Sequence, residues 1–387
     1  MPESYVDELV ARYEEQLQGF GASLPEEFKK SAQLLDGVLD ASELDQWAET
    51  GIGLAGQSLR AWEAATEYFR ATPVIHPTIG FHGIMKWAEL AANIAEKSSL
   101  VAASFIKFTP SVLEYLTLDD LEEWSLQGDR LFRGNWKSGT LSAAYFEHTP
   151  ALLNFLPLAS IEKLVSIIDA LTERSYELAS TCLESATRIF GELEPSDREP
   201  FLGFARAVTR ASWADTRLYF ERGPSLITSI SPEHRASFLD LSAKVTSEVG
   251  RQAFPLFADA AESLGQLSED THAEHILFAS NIAVGSPTAA MEYLKIVPFV
   301  SNRLTTEQLR RWSAVGEEIL TVENNAEGAE AFFRLESTRA ENSLQELSSR
   351  IELASINTLL RMYAKALTGE QVGIYSVEEL VDQNIGW

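Results

Sequence analysis

The segment "EDTHAEH" comes nearest, within this sequence of 387 residues, to a metal-binding or catalytic pattern. Glu269, His272 and His275 follow one another at three-residue steps, which on a helix places three potential ligands on roughly one face. A closed metal site needs about four ligands, and a di-iron bundle needs a second Glu-x-x-His unit, which the six histidines do not provide. We therefore predict no metal, and these three residues remain the candidates that an all-α metalloenzyme would use.

A second segment, "GDRLFRGNWKSG" (128–139), superficially resembles a phosphate-binding loop. Such a loop needs a glycine directly before Lys-Ser and a strand ahead of it. Here Asn135 and Trp136 stand between the glycine and Lys137, and the flanking sequence is helical in pattern. The chain also has no Gly-x-Ser-x-Gly, His-Glu-x-x-His or Cys-x-x-Cys pattern. We therefore predict a turn between helices at this segment, no cofactor and no enzymatic activity.

The elements that would carry these segments recur along the chain. An aromatic residue precedes a proline by five positions in five places, as in "YFRATP" and "YFEHTP". The prolines are Pro73, Pro110, Pro150, Pro224 and Pro298, separated by 37, 40, 74 and 74 residues. Copies without the proline fit the longer gaps near "CLESAT" and "LFADAA", and a final copy lies near "FFRLES". The spacing indicates an internal repeat.

A second landmark, a tryptophan with a small residue four positions later, precedes several of these copies. The pairs are Trp47 with Gly51, Trp87 with Ala91, Trp124 with Gly128 and Trp312 with Gly316, and Leu164, Phe204, Leu241 and Phe278 continue the series. The steps of 34 to 40 residues predict about eight helix-turn-helix copies with a period of 37–40 residues. Because a short helix cannot bury its apolar stripe alone, the predicted fold class is an all-α solenoid.

Local signals indicate where the two helices of each copy begin and end. Ser42, Thr117, Ser196, Thr271 and Thr305 are each followed three positions later by an acid or amide, which is typical of a helix start. The second helix is rich in alanine before its aromatic pair, so we predict that this pair packs between hairpins. We also predict that the proline ends the second helix, since proline disrupts a helix interior.

We expect one repeat domain over residues 1–366. Prolines and glycines cluster at 74–83 and 193–200, where bends are expected. Residues 367–387 leave the repeat and end on Trp387, a large apolar terminus, so we expect a further carboxyl-terminal domain to follow.

The charge balance limits the partners. The chain carries 57 acids against 31 Lys and Arg, a formal charge of −26, and no basic run that could neutralise phosphates. Nucleic acid and anionic membranes are therefore not expected to bind. The first fifty residues hold twelve acids and three bases, a face that keeps the chain soluble or steers a basic protein. With one cysteine, Cys182, and no run of eighteen apolar residues, a reducing compartment such as the cytoplasm is expected.

The repeat pattern is similar to the tetratricopeptide repeat, although that repeat has a period of 34 residues. Together with the ending "LLRMYAKALTGEQVGIYSVEEL", it more closely resembles the amino-terminal helical-repeat region of von Willebrand factor A proteins that partner MoxR-type AAA+ ATPases, the nitric-oxide-reductase and Rubisco activation group. In that family a carboxyl-terminal domain carries an Asp-x-Ser-x-Ser metal motif. The segment "DLSAK" at Asp240 has Lys244 in place of the second serine, so no site residue carries over.

The resemblance implies a non-catalytic adaptor that helps an AAA+ ATPase engage its client. The alternative is a free-standing tetratricopeptide-like scaffold that binds peptide segments. The sequence does not indicate which surface would bind the partner.

Overall fold

The computed structural model describes residues 5–20, 23–58, 60–250 and 253–301, together with Ala329 and Phe333. Over the first four ranges the chain is all-α, and its fifteen helices form consecutive antiparallel hairpins that pack against one another. The predicted fold class, an all-α solenoid, is confirmed. Contacts within the chain separate it into two compact units, one ending at Glu192 and the other beginning at Leu193.

The first unit contains nine helices in its described residues. They are α1 (Tyr5–Gln18), α2 (Ser23–Leu35), α3 (Ala41–Ala55), α4 (Ala61–Ala95), α5 (Ser99–Val112), α6 (Leu118–Arg130), α7 (Trp136–Leu152), α8 (Leu158–Thr172) and α9 (Tyr176–Glu192). Gly80, with φ 64°, divides α4 into two helical segments that belong to successive hairpins. This glycine lies within the bend expected at 74–83, because a left-handed residue reverses the chain there. The hairpin of α1 and α2 precedes the first predicted copy.

The second unit contains six helices among the residues that the structure describes. They are α10 (Pro195–Ala211), α11 (Trp213–Thr228), α12 (Pro232–Val249), α13 (Ala253–Leu264), α14 (Glu269–Gly285) and α15 (Pro287–Ser301). Pro195 is the first residue of α10, directly after the boundary between the units. The last predicted copy, with Trp312, and the tail 367–387 lie outside the described residues.

The aromatic residues of the repeat form the core, as predicted. Trp47, Trp87 and Trp124 are fully buried. The ring of Tyr68 stacks on Trp87 of the next hairpin at a centroid distance of 5.5 Å, and Phe105 lies 5.1 Å from Trp124 in the same way. In the second unit Tyr219 stacks on Phe201 at 4.5 Å and Phe204 contacts Phe257 at 4.7 Å. Each hairpin is therefore sealed by rings from its neighbour.

The predicted role of the prolines is wrong. Pro73, Pro110, Pro150 and Pro224 lie inside α4, α5, α7 and α11. A proline lacks one N–H, but the residues after it resume the helical ladder. The amide of Leu113 donates to the Thr109 carbonyl at 3.0 Å, and that of Leu153 donates to the Thr149 carbonyl at 2.9 Å. The proline therefore weakens the last turn without ending the helix.

The capping predictions are partly right. Thr117 and Asp120 form the predicted reciprocal cap of α6, with the Thr117 amide 2.8 Å from the Asp120 carboxylate. Ser42 does not cap α3, because Asp40 and Glu43 form that box two residues earlier. Ser196 and Thr271 already lie inside α10 and α14, whose N-cap residues are Glu194 and Ser268. Thr305 lies outside the described residues.

Candidate functional site

The "EDTHAEH" segment forms the first two turns of α14 and does not bring its three candidate ligands together. His272 and His275 are buried, whereas Glu269 at the helix start is exposed. An α-helix has 3.6 residues per turn, so two three-residue steps leave Glu269 and His275 about 120° apart around the axis. No group of three or more His, Cys, Asp or Glu side chains capable of holding a metal occurs in the described part of the chain.

His272 has a structural partner in the preceding hairpin. Its Nδ1 accepts a hydrogen bond of 3.0 Å from the backbone amide of Ser231, in the turn between α11 and α12. Residues 198 and 235 precede it by one and two repeat periods of 37 residues, and both are arginines in the first turns of α10 and α12. Arg198 and Arg235 donate to the carbonyls of Leu193 and Ile230, each five residues before them. His272 therefore occupies a repeated position that ties a helix start to a neighbouring turn.

Arg235 forms a buried ion pair with Asp197. Their side chains are 10% and 1% exposed, and Nη1 lies 3.2 Å from the carboxylate. The Arg235 guanidinium also donates to the Ile230 carbonyl at 2.8 Å, so several of its donors are satisfied inside the protein. Such a pair fixes α12 against α10, and its closed hydrogen-bonding leaves no group facing a substrate.

His275 is hydrogen-bonded to Tyr293 of α15, with Nδ1 2.9 Å from the hydroxyl oxygen. Burial lowers the pKa of His275 to about 4, so the imidazole is neutral at neutral pH. The same separation of 18 residues joins Gln127 to Tyr145, whose hydroxyl donates to the amide oxygen at 2.7 Å. His275 thus satisfies a buried tyrosine hydroxyl, as Gln127 does in the first unit.

The segment "GDRLFRGNWKSG" forms a turn between α6 and α7, as predicted. Gly134, with φ 74°, precedes Asn135, whose side chain accepts from the Ser138 amide at 3.0 Å and caps α7. No strand precedes the turn, since α6 runs to Arg130. The loop therefore lacks the strand and the glycine that would hold a phosphate.

This turn does expose a tryptophan. Trp136, the first residue of α7, has 77% of its surface exposed, and the Lys137 ammonium lies 5.7 Å from the ring centroid. In contrast, Trp47 and Trp124 of the same unit are fully buried. A tryptophan buries more apolar area than almost any other side chain on binding, so an exposed one at a helix start is a strong candidate for contact with a partner.

The starts of α5 and α9 lie beside Trp136. The Asn135 side-chain amide donates to the Tyr176 hydroxyl at 3.2 Å, and a Cβ on Gly139 would lie 3.8 Å from Ser98 Oγ. We call the surface formed by residues 97–100, 133–137 and 174–176 the Trp136 edge. Leu100 is also exposed there.

The sequence contained the signal for this surface, but spacing alone did not reveal it. Trp136 falls outside the repeat positions that predict buried aromatic residues, and it precedes the aromatic pair of its copy by nine positions. A tryptophan that breaks a repeat pattern is the feature that distinguishes a surface residue from the core tryptophans here.

Two comparisons bear on the setting of the chain. Among the helices that the structure describes, none combines the length and apolar character needed to cross a membrane. Comparison with protein-family models, curated proteins and solved structures finds no match to this chain.

Proposed function

We propose that this chain is a non-catalytic helical-repeat scaffold that binds a protein partner through the Trp136 edge. The observation that carries the proposal is the exposure of Trp136, whose ring lies on the surface of a unit that buries its repeat tryptophans. Interface energy is concentrated in a few aromatic and arginine side chains, and the edge combines Trp136 with Arg130 and Arg133. The residues with chemical potential elsewhere, His272, His275 and Asp197, are buried in structural hydrogen bonds.

Two narrower forms of this function rest on the sequence alone. The resemblance to von Willebrand factor A proteins supports an adaptor for a MoxR-type AAA+ ATPase or its client, acting in the cytoplasm. The alternative is a free-standing scaffold that binds peptide segments. Co-purification with and without a MoxR-type ATPase from the same source distinguishes the two, because only the adaptor should retain the ATPase.

Site-specific photo-crosslinking in cells tests the scaffold proposal. A photoreactive phenylalanine analogue replaces Trp136 in one variant and Val74 in a matched control, since Val74 is 62% exposed in the same unit at the other end of its helix. We expect a discrete crosslinked partner at position 136, identified by mass spectrometry, and little product at position 74. Equal yields at the two positions, or no product at 136, would contradict the proposal.

A further inference from the structure

We infer that the segment bound at the Trp136 edge is acidic and carries an aromatic or large apolar side chain. This inference rests on the proposed function and specifies the chemistry of the partner. It follows from the exposure of the charged groups around Trp136 and from the direction of three helices.

The charged groups around Trp136 present their cations to solvent. Arg130 and Arg133 share one carboxylate, Asp169, at 3.2 and 2.6 Å. The Asp169 side chain is 14% exposed, whereas each arginine side chain is 46% exposed. One carboxylate between two guanidiniums leaves a net positive charge and free donor capacity, and an arginine fork binds carboxylates in a bidentate manner.

Lys97 repeats this asymmetry at the neighbouring turn. Its ammonium lies 2.7 Å from the Asp129 carboxylate, with the lysine side chain 53% exposed and the aspartate 28% exposed. Lys137 adds a further exposed cation beside the Trp136 ring. An approaching segment therefore meets ammonium and guanidinium groups before it meets the acids that neutralise them.

Three helix starts add to this field. Ser98, Asn135 and Ser175 accept hydrogen bonds from the amides at the starts of α5, α7 and α9, and the contacts around the edge place these starts side by side. The positive ends of the helix dipoles therefore coincide with the cationic side chains. An acidic segment gains from both.

The local acids set a limit to this attraction. Glu173 lies close enough to Arg133 to raise its pKa, although Asp169 is the larger cause, and Glu96 and Glu177 are also exposed near the edge. The edge is thus nearly balanced in charge, in a chain whose formal charge is −26. An acidic partner is repelled least at this surface. A basic partner would instead be attracted to α1–α3, where the first fifty residues hold twelve acids and three bases.

The aromatic requirement follows from Trp136. Its exposed ring offers a flat apolar face, and stacking or edge contacts between aromatic rings add to the burial of area. A side chain of this kind would cover the ring while flanking carboxylates reach Arg133 and Lys137.

Fluorescence titration with two matched peptides tests the inference. The first peptide has Asp and Glu on both sides of a single Phe, and the second has Lys in place of every acid. We expect the acidic peptide to bind the full chain and to lose affinity as salt rises, because exposed charges are screened. Trp136→Ala should weaken its binding by about tenfold or more, and Arg133→Glu with Lys137→Glu should weaken it by a similar factor.

Two controls keep the result specific. Val74→Ala should leave the affinity unchanged, and hydrogen exchange should show that each variant retains its helices. Tighter binding of the lysine peptide, or binding of the acidic peptide that survives both sets of substitutions, would overturn the inference.

The crosslinking experiment separates this inference from the proposed function. If position 136 crosslinks a partner segment that is basic or lacks a large apolar side chain, the scaffold proposal stands and the inference is wrong. If position 136 gives no specific crosslink and the acidic peptide does not bind, both are wrong.

Discussion

Gly51 of α3 lies directly against the ring of Phe69 on α4, so that a Cβ at position 51 would overlap the ring. Gly128 has the same relationship with Phe146 in a later hairpin. Where the sequence has Ala91 at the equivalent position, the second residue of the aromatic pair is the smaller Ile106. The small residue four positions after each tryptophan therefore sets how closely the two helices of a hairpin approach.

Gly51→Ala should destabilise the first unit by about 1–3 kcal/mol, because the ring of Phe69 must move in a packed core. Gly53 is the matched control, since it is exposed on the same helix and a Cβ there would meet nothing within 4 Å. Gly53→Ala should raise stability by up to about 1 kcal/mol through helix propensity. Urea unfolding followed by circular dichroism measures both, and a stable Gly51→Ala variant would contradict the packing argument.

Acidification should loosen the hairpin of α14 and α15. The folded pKa of His275, about 4, lies below the ordinary value of 6.5, mainly because of burial and with a smaller contribution from His272, while Glu274 opposes the shift. The folded state therefore binds fewer protons than the unfolded state between these values. The contribution of His275 is fully present above pH 6.5 and is lost as the pH falls towards 4, by up to about 3 kcal/mol.

His275→Gln should remove most of this pH dependence while keeping the hairpin stable at neutral pH. The amide can hydrogen-bond Tyr293 as Gln127 bonds Tyr145. Hydrogen exchange in α14 and α15 at pH 7.5 and pH 5 provides the measurement. His82→Gln, at an exposed histidine in the first unit, should leave the pH dependence as it is. If the His275→Gln variant loosens at pH 5 as much as the parent, the assignment is wrong.

Removing one member of the Asp197–Arg235 pair should be costly, and removing both should cost less than the sum. Asp197→Ser alone leaves a buried guanidinium without its carboxylate, at a cost of about 3 kcal/mol. The double variant with Arg235→Ile copies the Ser160–Ile161 pattern that the repeat has 37 residues earlier. A double-mutant cycle on local hydrogen exchange in α10 and α12 measures the coupling.

The exposed pair of Arg188 and Glu192, with side chains about half exposed, is the control for this cycle. Its loss should change stability by less than about 1 kcal/mol, because solvent screens such pairs. Additive effects at Asp197 and Arg235 would show that the buried pair is not a unit.

The indole N–H of Trp87 donates to the Thr109 hydroxyl at 3.0 Å, and Thr109 in turn donates to the Phe105 carbonyl. Thr109→Val should cost about 1–3 kcal/mol, because it leaves the buried indole donor without an acceptor. The control is Thr66→Val, since that hydroxyl donates to a carbonyl of its own helix, that of Trp62. Thermal unfolding compares the two, and equal losses would contradict this role of Thr109.

Repetition in the sequence predicts the fold because one physical requirement recurs in every copy. A short amphipathic helix must bury its apolar stripe, so Trp47, Trp87 and Trp124 indicate the core before any coordinates are known. The box of Thr117 and Asp120 is equally local, since its two partners are three residues apart. The helix ends at Pro110 and Pro150 could not be predicted in the same way, because the tertiary contacts that hold a last turn are not encoded in the proline itself.

The sequence by itself determined the helical hairpins, their period of 37–40 residues and the burial of the repeated aromatic rings, because these follow from spacing and side-chain size. Only the tertiary structure decided what the histidines and Trp136 do. His272 and His275 are directed to Ser231 and Tyr293 by contacts across helices, while Trp136 is left at the surface. The physical reason is that helix spacing fixes a direction around one axis, whereas burial depends on which neighbouring helix occupies that direction.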